Sequence, residues 1–319
     1  MELVREIYEK EVVFVSGITR SGKSLVCSVL SSFSGVEKTA VDFVLEQIPR
    51  LYGLKLIDTS TAQYLLRTGL NNLIYEEHLG RSLNLRQDDQ MTSVFKYVEP
   101  AHYLARLSNI EGMEAVRQIN RSDQLFLMMI HYGIEYLDLW MDSFVTAKMI
   151  NVERNPIDLV DSWLRKGYGG DFFGSVRSTT PAVRFKENVL PYSAVGWEDE
   201  YIEMSPEERV VRTILLAIDR QNIALQGAGP DYADRVLNIR HETLVTQPEL
   251  VLGQFGAFLR KSPSIYTASI LARESVPRCN SALNRQRENK LNSLRNTLSK
   301  PVWDDLVDAS SVYNELSGV

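Results

Sequence analysis

The stretch Val12–Leu30, with the sequence VVFVSGITRSGKSLVCSVL, decides the fold of this chain. Its first five residues are apolar or small and too few for a core helix, which predicts a short buried strand. The apolar spacing after Lys23 predicts a buried helix, so a glycine-bounded loop joins the strand to the helix. The segment Gly17-x-x-x-x-Gly22-Lys23-Ser24 also fits the Walker A pattern, in which backbone N–H groups surround a phosphate. We therefore expect a phosphate-binding loop here.

Length and composition limit the class of protein. The chain has 319 residues, of which 44% are hydrophobic and 24% are charged, as in globular proteins with a sizeable core. With 35 Lys and Arg against 41 Asp and Glu, the net charge is −6, which argues against a general binder of nucleic acids or anionic membranes. Cys27 and Cys279 make no disulfide framework. No signal-peptide core or membrane-spanning apolar run is evident, so we expect a cytoplasmic protein.

The pattern of apolar residues predicts strands that alternate with helices. Strands are predicted at 12–16, 54–57, 91–99, 144–153 and 235–240. Helices are predicted at 23–30, 40–52 with a break at Pro49, 59–77, 110–118, 124–140, 157–166, 205–226 and 248–260. This order favours an α/β fold of three layers around a central parallel sheet, with binding sites at the carboxyl ends of the strands.

Three further segments complete the predicted organisation. A large helical insertion is expected at about 40–141. The segment 168–201 is rich in Gly, Pro, Ser and aromatic residues, and we expect it to form a lid-like loop. A polar helical segment at about 262–319 ends the chain. We expect residues 1–319 to form a single domain.

A second candidate phosphate site follows the predicted strand 144–153. This strand ends in the sequence ERNP (153–156), and Ser162 lies eight residues after Arg154. An arginine at the carboxyl end of a strand can bind an anion bidentately, and a serine two turns into the next helix can add a hydroxyl. The spacing alone fits equally an arginine that pairs with Asp158 and a serine that faces solvent.

Three segments, in order along the chain, resemble motifs of the sulfotransferase family. The sequence RSGKS (20–24) is similar to the first motif of that family, with both of its threonines replaced. Arg154, with a proline two residues later and Ser162 eight residues later, resembles the family's 3′-phosphate motif. The segment 236–245 resembles the family's late strand and the residues after it, although His241 and Thr243 depart from the pattern.

The resemblance implies a fold, a donor and a reaction. It implies a P-loop-NTPase-like α/β fold and transfer of a sulfuryl group from 3′-phosphoadenosine 5′-phosphosulfate (PAPS) to a hydroxyl or amine of a glycan or small-molecule acceptor. The other product is 3′-phosphoadenosine 5′-phosphate (PAP). No metal is expected, because Lys23 would supply the charge at the oxygen being left. The residues implied to hold the donor are Gly17, Thr19, Arg20, Ser21, Gly22, Lys23, Ser24, Arg154 and Ser162.

A hydroxyl acceptor also needs a base within hydrogen-bond reach. Asp42 and Glu46 follow the first helix at about the distance where glycan sulfotransferases place their acid, and Asp42 is the preferred candidate. Glu99 and His102 follow the third predicted strand, near the histidine of cytosolic aryl and alcohol sulfotransferases. Lys96 resembles a lysine found near the sulfonate in glycan-type relatives.

Two other functions remain open on the sequence. The GKS form of the loop (22–24) resembles that of ATP-dependent kinases, which also need carboxylates to hold Mg²⁺, and Asp58 is a weak candidate. A non-catalytic nucleotide-binding protein on the same fold would lack a working base. The basic run 284–295 could contact a 3′-phosphate but is more typical of a solvated helix face. The remaining histidines are interpreted as structural: His78, His131 and His241.

Overall fold

The computed structural model describes residues 3–89, 92–97, 99–170, 173, 175–176 and 178–315. Its strands are β1 (Val12–Ser16), β2 (Val36–Ala40), β3 (Leu125–Met129), β4 (Lys148–Glu153), β5 (Ala182–Phe185), β6 (Asn188–Pro191) and β7 (Val236–Arg240). Five of them form a sheet in the order β2-β3-β1-β4-β7, in which every pairing is parallel. The other two, β5 and β6, form an antiparallel hairpin. The predicted α/β fold with a central parallel sheet is confirmed.

Helices cover the sheet and connect its strands. They are α1 (Lys23–Leu30), α2 (Gln47–Gly53), α3 (Thr59–His78), α4 (Pro100–Leu104), α5 (Met113–Arg121), α6 (Leu137–Ser143), α7 (Pro156–Leu164), α8 (Glu198–Glu203), α9 (Pro206–Gly227), α10 (Pro230–Ala233), α11 (His241–Thr246), α12 (Pro248–Leu259), α13 (Thr267–Arg273), α14 (Asn280–Leu294) and α15 (Lys300–Glu315). Among the described residues, no helix combines the length and the apolar character needed to cross a bilayer.

The middle strand β1 carries core side chains on both faces of the sheet. Val13 and Val15 belong to the apolar cluster on one face, and Phe14 packs on the other face against Trp140 and Phe144. Because parallel strands are covered by helices on both faces, their sequences are continuous apolar runs. The register aligns the ends of β3, β1 and β4, so the residues that follow these three strands meet at one edge.

Strand β3 lies where the sequence predicted a helix at 124–140. The run 125–130 is buried throughout, and periodicity cannot distinguish a fully buried strand from a buried helix. The predicted helical insertion at 40–141 is therefore too long, because it includes a strand of the central sheet. The helices between β2 and β3 lie within 47–121.

Strand β2 was not predicted because its sequence, VEKTA, contains two charged residues. Both are buried in ion pairs: Lys38 Nζ lies 2.6 Å from Glu77 Oε2, and Glu37 Oε2 lies 2.6 Å from Arg106 Nη2. Partners from distant helices thus hide charges that look like surface residues in the sequence. The predicted helix 40–52 begins later, at Gln47, and Pro49 lies in its first turn, where it does not break the helix.

Two other predicted strands are wrong. In the stretch 91–99, Val94–Lys96 forms a short 3₁₀ turn in which Val94 alone is buried, and positions 91 and 98 lie outside the described residues. Residues 54–57 form a turn after α2, in which Lys55 has a positive φ of 58°. The predicted lid-like loop 168–201 contains the β5–β6 hairpin and most of α8.

The start of α9 provides a stability test. Ser205 accepts a hydrogen bond from the Glu208 N–H, and the Glu208 side chain accepts one from the Ser205 N–H, which is a complete capping box. We expect Ser205→Ala to lower the free energy of unfolding by about 1 kcal/mol, measured by urea denaturation. Ser311→Ala, at an exposed site inside α15, is the control and should change it by less than about 0.5 kcal/mol. Equal effects of the two substitutions would contradict a capping role.

Candidate functional site

The loop between β1 and α1, residues 17–24, is held close to the ends of β3 and β4. Gly17 has a φ of 151°, and a Cβ there would lie 2.5 Å from the Val152 carbonyl oxygen, so only glycine fits this approach. The Gly17 carbonyl accepts a hydrogen bond from the Tyr132 N–H at 3.2 Å. Helix α1 begins at Lys23, and the first N–H groups of a helix have no partner within it. The loop therefore has the form of an anion-binding turn.

Lys23 is buried inside this loop. Its Nζ donates to the carbonyl oxygens of Gly17 at 3.0 Å and Ile18 at 2.8 Å. Burial lowers the pKa of Lys23 to about 7, against a smaller opposing effect of the Glu46 carboxylate. A negative phosphate beside this amine would favour its charged form, so the lysine is prepared for an anion that would offset the cost of its burial.

The predicted 3′-phosphate residues lie next to the loop. Arg154 donates from Nη1 to the Arg20 carbonyl at 2.8 Å, and Arg20 Nε donates to Ser162 Oγ at 3.0 Å. Arg154 Nε is buried and has no hydrogen-bond partner among the described residues. Burial is also the main effect that lowers the pKa of Arg154. The structure thus brings Arg20, Arg154 and Ser162 together next to the loop.

His241 lies against the same loop, which the sequence interpretation as a structural residue did not anticipate. A Cβ added to Gly22, whose φ is 108°, would lie 2.4 Å from His241 Nδ1. His241 is buried, and its Nδ1 has no hydrogen-bond partner in the described part of the chain. Burial, followed by the charges of Arg154 and Arg278, lowers the pKa of His241 to about 3. A neutral imidazole therefore faces the turn into α1.

The basic run 284–295 is not simply a solvated helix face. Arg287 on α14 donates to Asp158 Oδ2 at 3.0 and 3.1 Å, and Lys290 Nζ lies 2.6 Å from Asp158 Oδ1. Arg287 also pairs with Glu242 at 3.3 Å. These charges lower the pKa of Asp158 against the opposing effect of its burial. These ion pairs attach α14 to α7 beside Arg154.

A cavity of about 590 Å³ joins these elements. Of the predicted loop residues, Thr19, Arg20, Gly22, Lys23 and Ser24 line it, as does Arg154. The Gly17 carbonyl instead faces Lys23, and the Ser21 side chain is buried against Gly17. Ser162 does not line the cavity, but its Oγ accepts a hydrogen bond from Arg20, which does. The opposite wall is formed by residues that follow β2 and β3.

That opposite wall holds a carboxylate–histidine pair. His131 Nδ1 lies 2.9 Å from Glu46 Oε2 and 3.2 Å from Oε1, and the His131 N–H also donates to Oε2 at 3.2 Å. We assign the proton to Nδ1, because a carboxylate can only accept; Nε2 then carries the lone pair. Burial and then the Lys23 charge lower the pKa of His131, while Glu46 raises it. His131 is thus a neutral base that Glu46 orients.

Other predicted catalytic candidates lie elsewhere. Asp42 does not line the cavity, and its Oδ1 accepts from the N–H groups of Val44 and Leu45 in a local turn. His102 lines a separate cavity, where its Nε2 lies 3.4 Å from Arg106 Nη2.

Lys96 and Glu99 likewise do not line the cavity that contains Lys23. Asp58, the candidate magnesium ligand, caps α3 by accepting from the Thr61 N–H at 2.8 Å.

The sequence interpretation missed His131 because of the error in β3. Within a predicted helix 124–140, His131 would be one of many buried positions. At the end of a strand that pairs with β1, it falls directly beside the loop. The six-residue apolar run 125–130 was the available signal, since strands of that length are common.

Comparison with known proteins found structural likenesses only. No family model matches the chain, and no curated protein sequence matches it. Among solved structures, it is similar to a sulfotransferase domain from the curacin biosynthetic pathway, with 13% identity over 96% of this chain and 98% of that chain and a TM-score of 0.48. It is also similar to a sulfotransferase domain from the Synechococcus olefin synthase, with 16% identity over 98% of each chain and a TM-score of 0.44. A sulfotransferase from Mycobacterium tuberculosis shows 12% identity over 88% of this chain and 76% of that chain, with a TM-score of 0.42.

Proposed function

We propose that this protein is a sulfotransferase that moves a sulfuryl group from PAPS to a hydroxyl group of a glycan or small-molecule acceptor and releases PAP. The observation that carries the proposal is the content of one cavity. An anion-binding loop with a buried lysine, an arginine with an unpaired donor and a carboxylate–histidine pair all face it. These are the groups that a donor with two phosphate positions and an acceptor with a hydroxyl require.

The residues present suit such a donor. The loop residues 19–24, which include Lys23, would hold the 5′-phosphate, and Arg154 would hold the 3′-phosphate beside Arg20, whose side chain Ser162 positions. When bound, PAPS supplies a sulfuryl group whose departure leaves negative charge on a 5′-phosphate oxygen. The Lys23 ammonium would stabilise that charge, because it grows as the bond to sulfur breaks.

The proton of the acceptor hydroxyl needs a destination. His131 Nε2 would take it, and the imidazolium that forms would be stabilised by the Glu46 carboxylate at Nδ1. Glu46 is one of the bases expected from the sequence, and it would act here as the residue that orients His131. Arg50 Nη2 lies 3.7 Å from Glu46 Oε2 and would pair with that carboxylate.

A magnesium-dependent kinase fits the cavity less well. Glu46 and Glu135 are the carboxylates among the described residues that line it, and Glu46 is engaged by His131. In the described part of the chain, no group of three or more His, Cys, Asp and Glu residues could hold a metal ion. Asp58 caps a helix rather than facing the loop serine.

The first test separates the two phosphate positions. We expect Arg154→Ala to lower PAP affinity by about 30-fold or more, because a charge-assisted contact to the 3′-phosphate is lost. Affinity for 5′-AMP, which lacks that phosphate, should change less than about threefold. Calorimetric titration measures both, with Arg165→Ala, an exposed arginine next to the end of α7, as the control. Equal losses for PAP and 5′-AMP would contradict this role for Arg154.

The second test concerns the base. If His131 accepts the proton, turnover should fall as the pH drops through the His131 pKa, which lies below its usual value. Glu46→Gln should move this acid limb to lower pH, since the carboxylate raises that pKa, and His131→Gln should lower kcat by about 10²–10⁴. Asp42→Asn, which keeps the turn-capping oxygen, is the control. Full loss of activity in Glu46→Gln with activity retained in His131→Gln would make Glu46 the base instead.

The third test uses the low pKa of Lys23. In the nucleotide-free protein, the Lys23 amine is mostly charged below pH 7 and mostly neutral above it. Above pH 7, binding of a phosphate beside Lys23 therefore requires the amine to take up a proton. PAP binding at about pH 8 should therefore take up close to one proton, and affinity should weaken as the pH rises further. Calorimetry in buffers of different ionisation enthalpy measures this uptake. It should vanish in Lys23→Ala and persist in Lys300→Ala, and uptake that survives in Lys23→Ala would refute the assignment.

A further inference from the structure

A second cavity of about 600 Å³ adjoins the cavity that contains Lys23. Three side chains line both: Glu135, Tyr192 and Arg220. Glu135 belongs to the turn after β3, a few residues beyond His131, and Arg220 lies on α9. A molecule that occupied both cavities would therefore pass beside these three side chains.

The wall of the second cavity is largely aromatic and aliphatic. The residues that give it this character are Leu54, Tyr136, Val195, Ile223, Ala224 and Tyr232. Ile223 is 69% exposed and Val195 is 37% exposed, so apolar side chains reach the surface here. Burial raises the pKa of Tyr136 to about 12, which keeps this phenol neutral. Such a wall suits a ring or an apolar body rather than a charged group.

Glu135 is the acidic side chain that lines both cavities. Among the described residues, no side chain or backbone group donates a hydrogen bond to its carboxyl group. Burial raises the pKa of Glu135 to about 7, against smaller opposing effects of Arg220 and Arg50. A carboxyl group in this position can accept a hydrogen bond from a hydroxyl group of a ligand.

The charges that act on Glu135 also restrict the ligand. Glu135, Arg50 and Arg220 all line the cavity that contains Lys23, and both arginine charges act on the Glu135 carboxyl group, so a ligand carboxylate would meet Glu135 and a ligand ammonium would meet the two arginines. Arg50 is already occupied by Glu46 and by the ring faces of Tyr132 and Tyr192. A neutral ligand adds no unpaired charge to this half-buried wall.

We propose that the second cavity binds the body of the acceptor, and that the acceptor is a neutral molecule with a ring or apolar portion and at least two hydroxyl groups. One hydroxyl lies beside His131, and another donates to Glu135. This inference rests on the proposed function, because it assigns the second substrate of that reaction.

The experiment compares two probes that differ in one charge. These are 4-nitrophenyl β-D-glucopyranoside and 4-nitrophenyl β-D-glucuronide, titrated by calorimetry into the full chain saturated with PAP. The glucoside should bind at least about tenfold more tightly than the glucuronide, since only the glucuronide brings a carboxylate to Glu135.

Variants then locate the binding site. Ala224→Trp, which fills the second cavity, should lower glucoside affinity at least about tenfold. Asn222→Trp, at an exposed position on the same helix, should leave it unchanged. Glu135→Gln, which keeps the shape of the side chain, should lower glucoside affinity about fivefold. If Ala224→Trp does not fold, this variant tests whether the glucoside binds beside Glu135.

Three results would overturn the inference: equal glucoside binding by Ala224→Trp and the parent protein, tighter binding of the glucuronide, or no binding of either probe. Failure of the proposed function gives a different result. In that case PAP itself would not bind, although glucoside binding to the nucleotide-free protein could still be mapped with the same variants.

Discussion

The close approach of Gly17 to the end of β4 is the constraint on which the rest of the site depends. Because no side chain intervenes, the loop turns directly over the sheet and is hydrogen-bonded on both sides. The Tyr132 N–H holds it from the β3 side, and Arg154 holds it from the β4 side. Two neighbouring strands thereby position the loop, and Lys23 is enclosed by it. The enclosure lowers the lysine pKa and prepares the amine for a phosphate.

The charged residues of the site form separate groups. On the side of the loop 17–24, the lining residues Arg20, Lys23 and Arg154 are cations, which suits a ligand with several negative charges. On the other side, Glu46 compensates Arg50 and orients His131. Asp158 and Glu242 form ion pairs with Arg287 of α14, and these ion pairs hold that helix beside Arg154. The groups proposed for anion binding and those proposed for proton transfer therefore lie on different parts of one cavity.

The sequence was sufficient where a pattern is local. The strand–loop–helix at 12–30, the turn after β4 and the cap of α9 each follow from residues within one short segment. It was insufficient where long-range partners decide. The charges of β2 are hidden by Glu77 and Arg106, and the apolar run of β3 becomes a strand only because β1 and β2 pair with it. The position of His131 depended on that pairing, so this proposed base could not be identified from the sequence alone.

We propose that the cavity binds a nucleotide with a 3′-phosphate and does so without a metal. The most direct test of this proposal is calorimetric titration of the protein with PAP and with ADP, each in the presence of a chelator and then of magnesium. We expect PAP to bind at least about 30-fold more tightly than ADP, and we expect magnesium to leave PAP affinity unchanged. Tighter binding of ADP, and only with magnesium, would contradict it and favour a kinase.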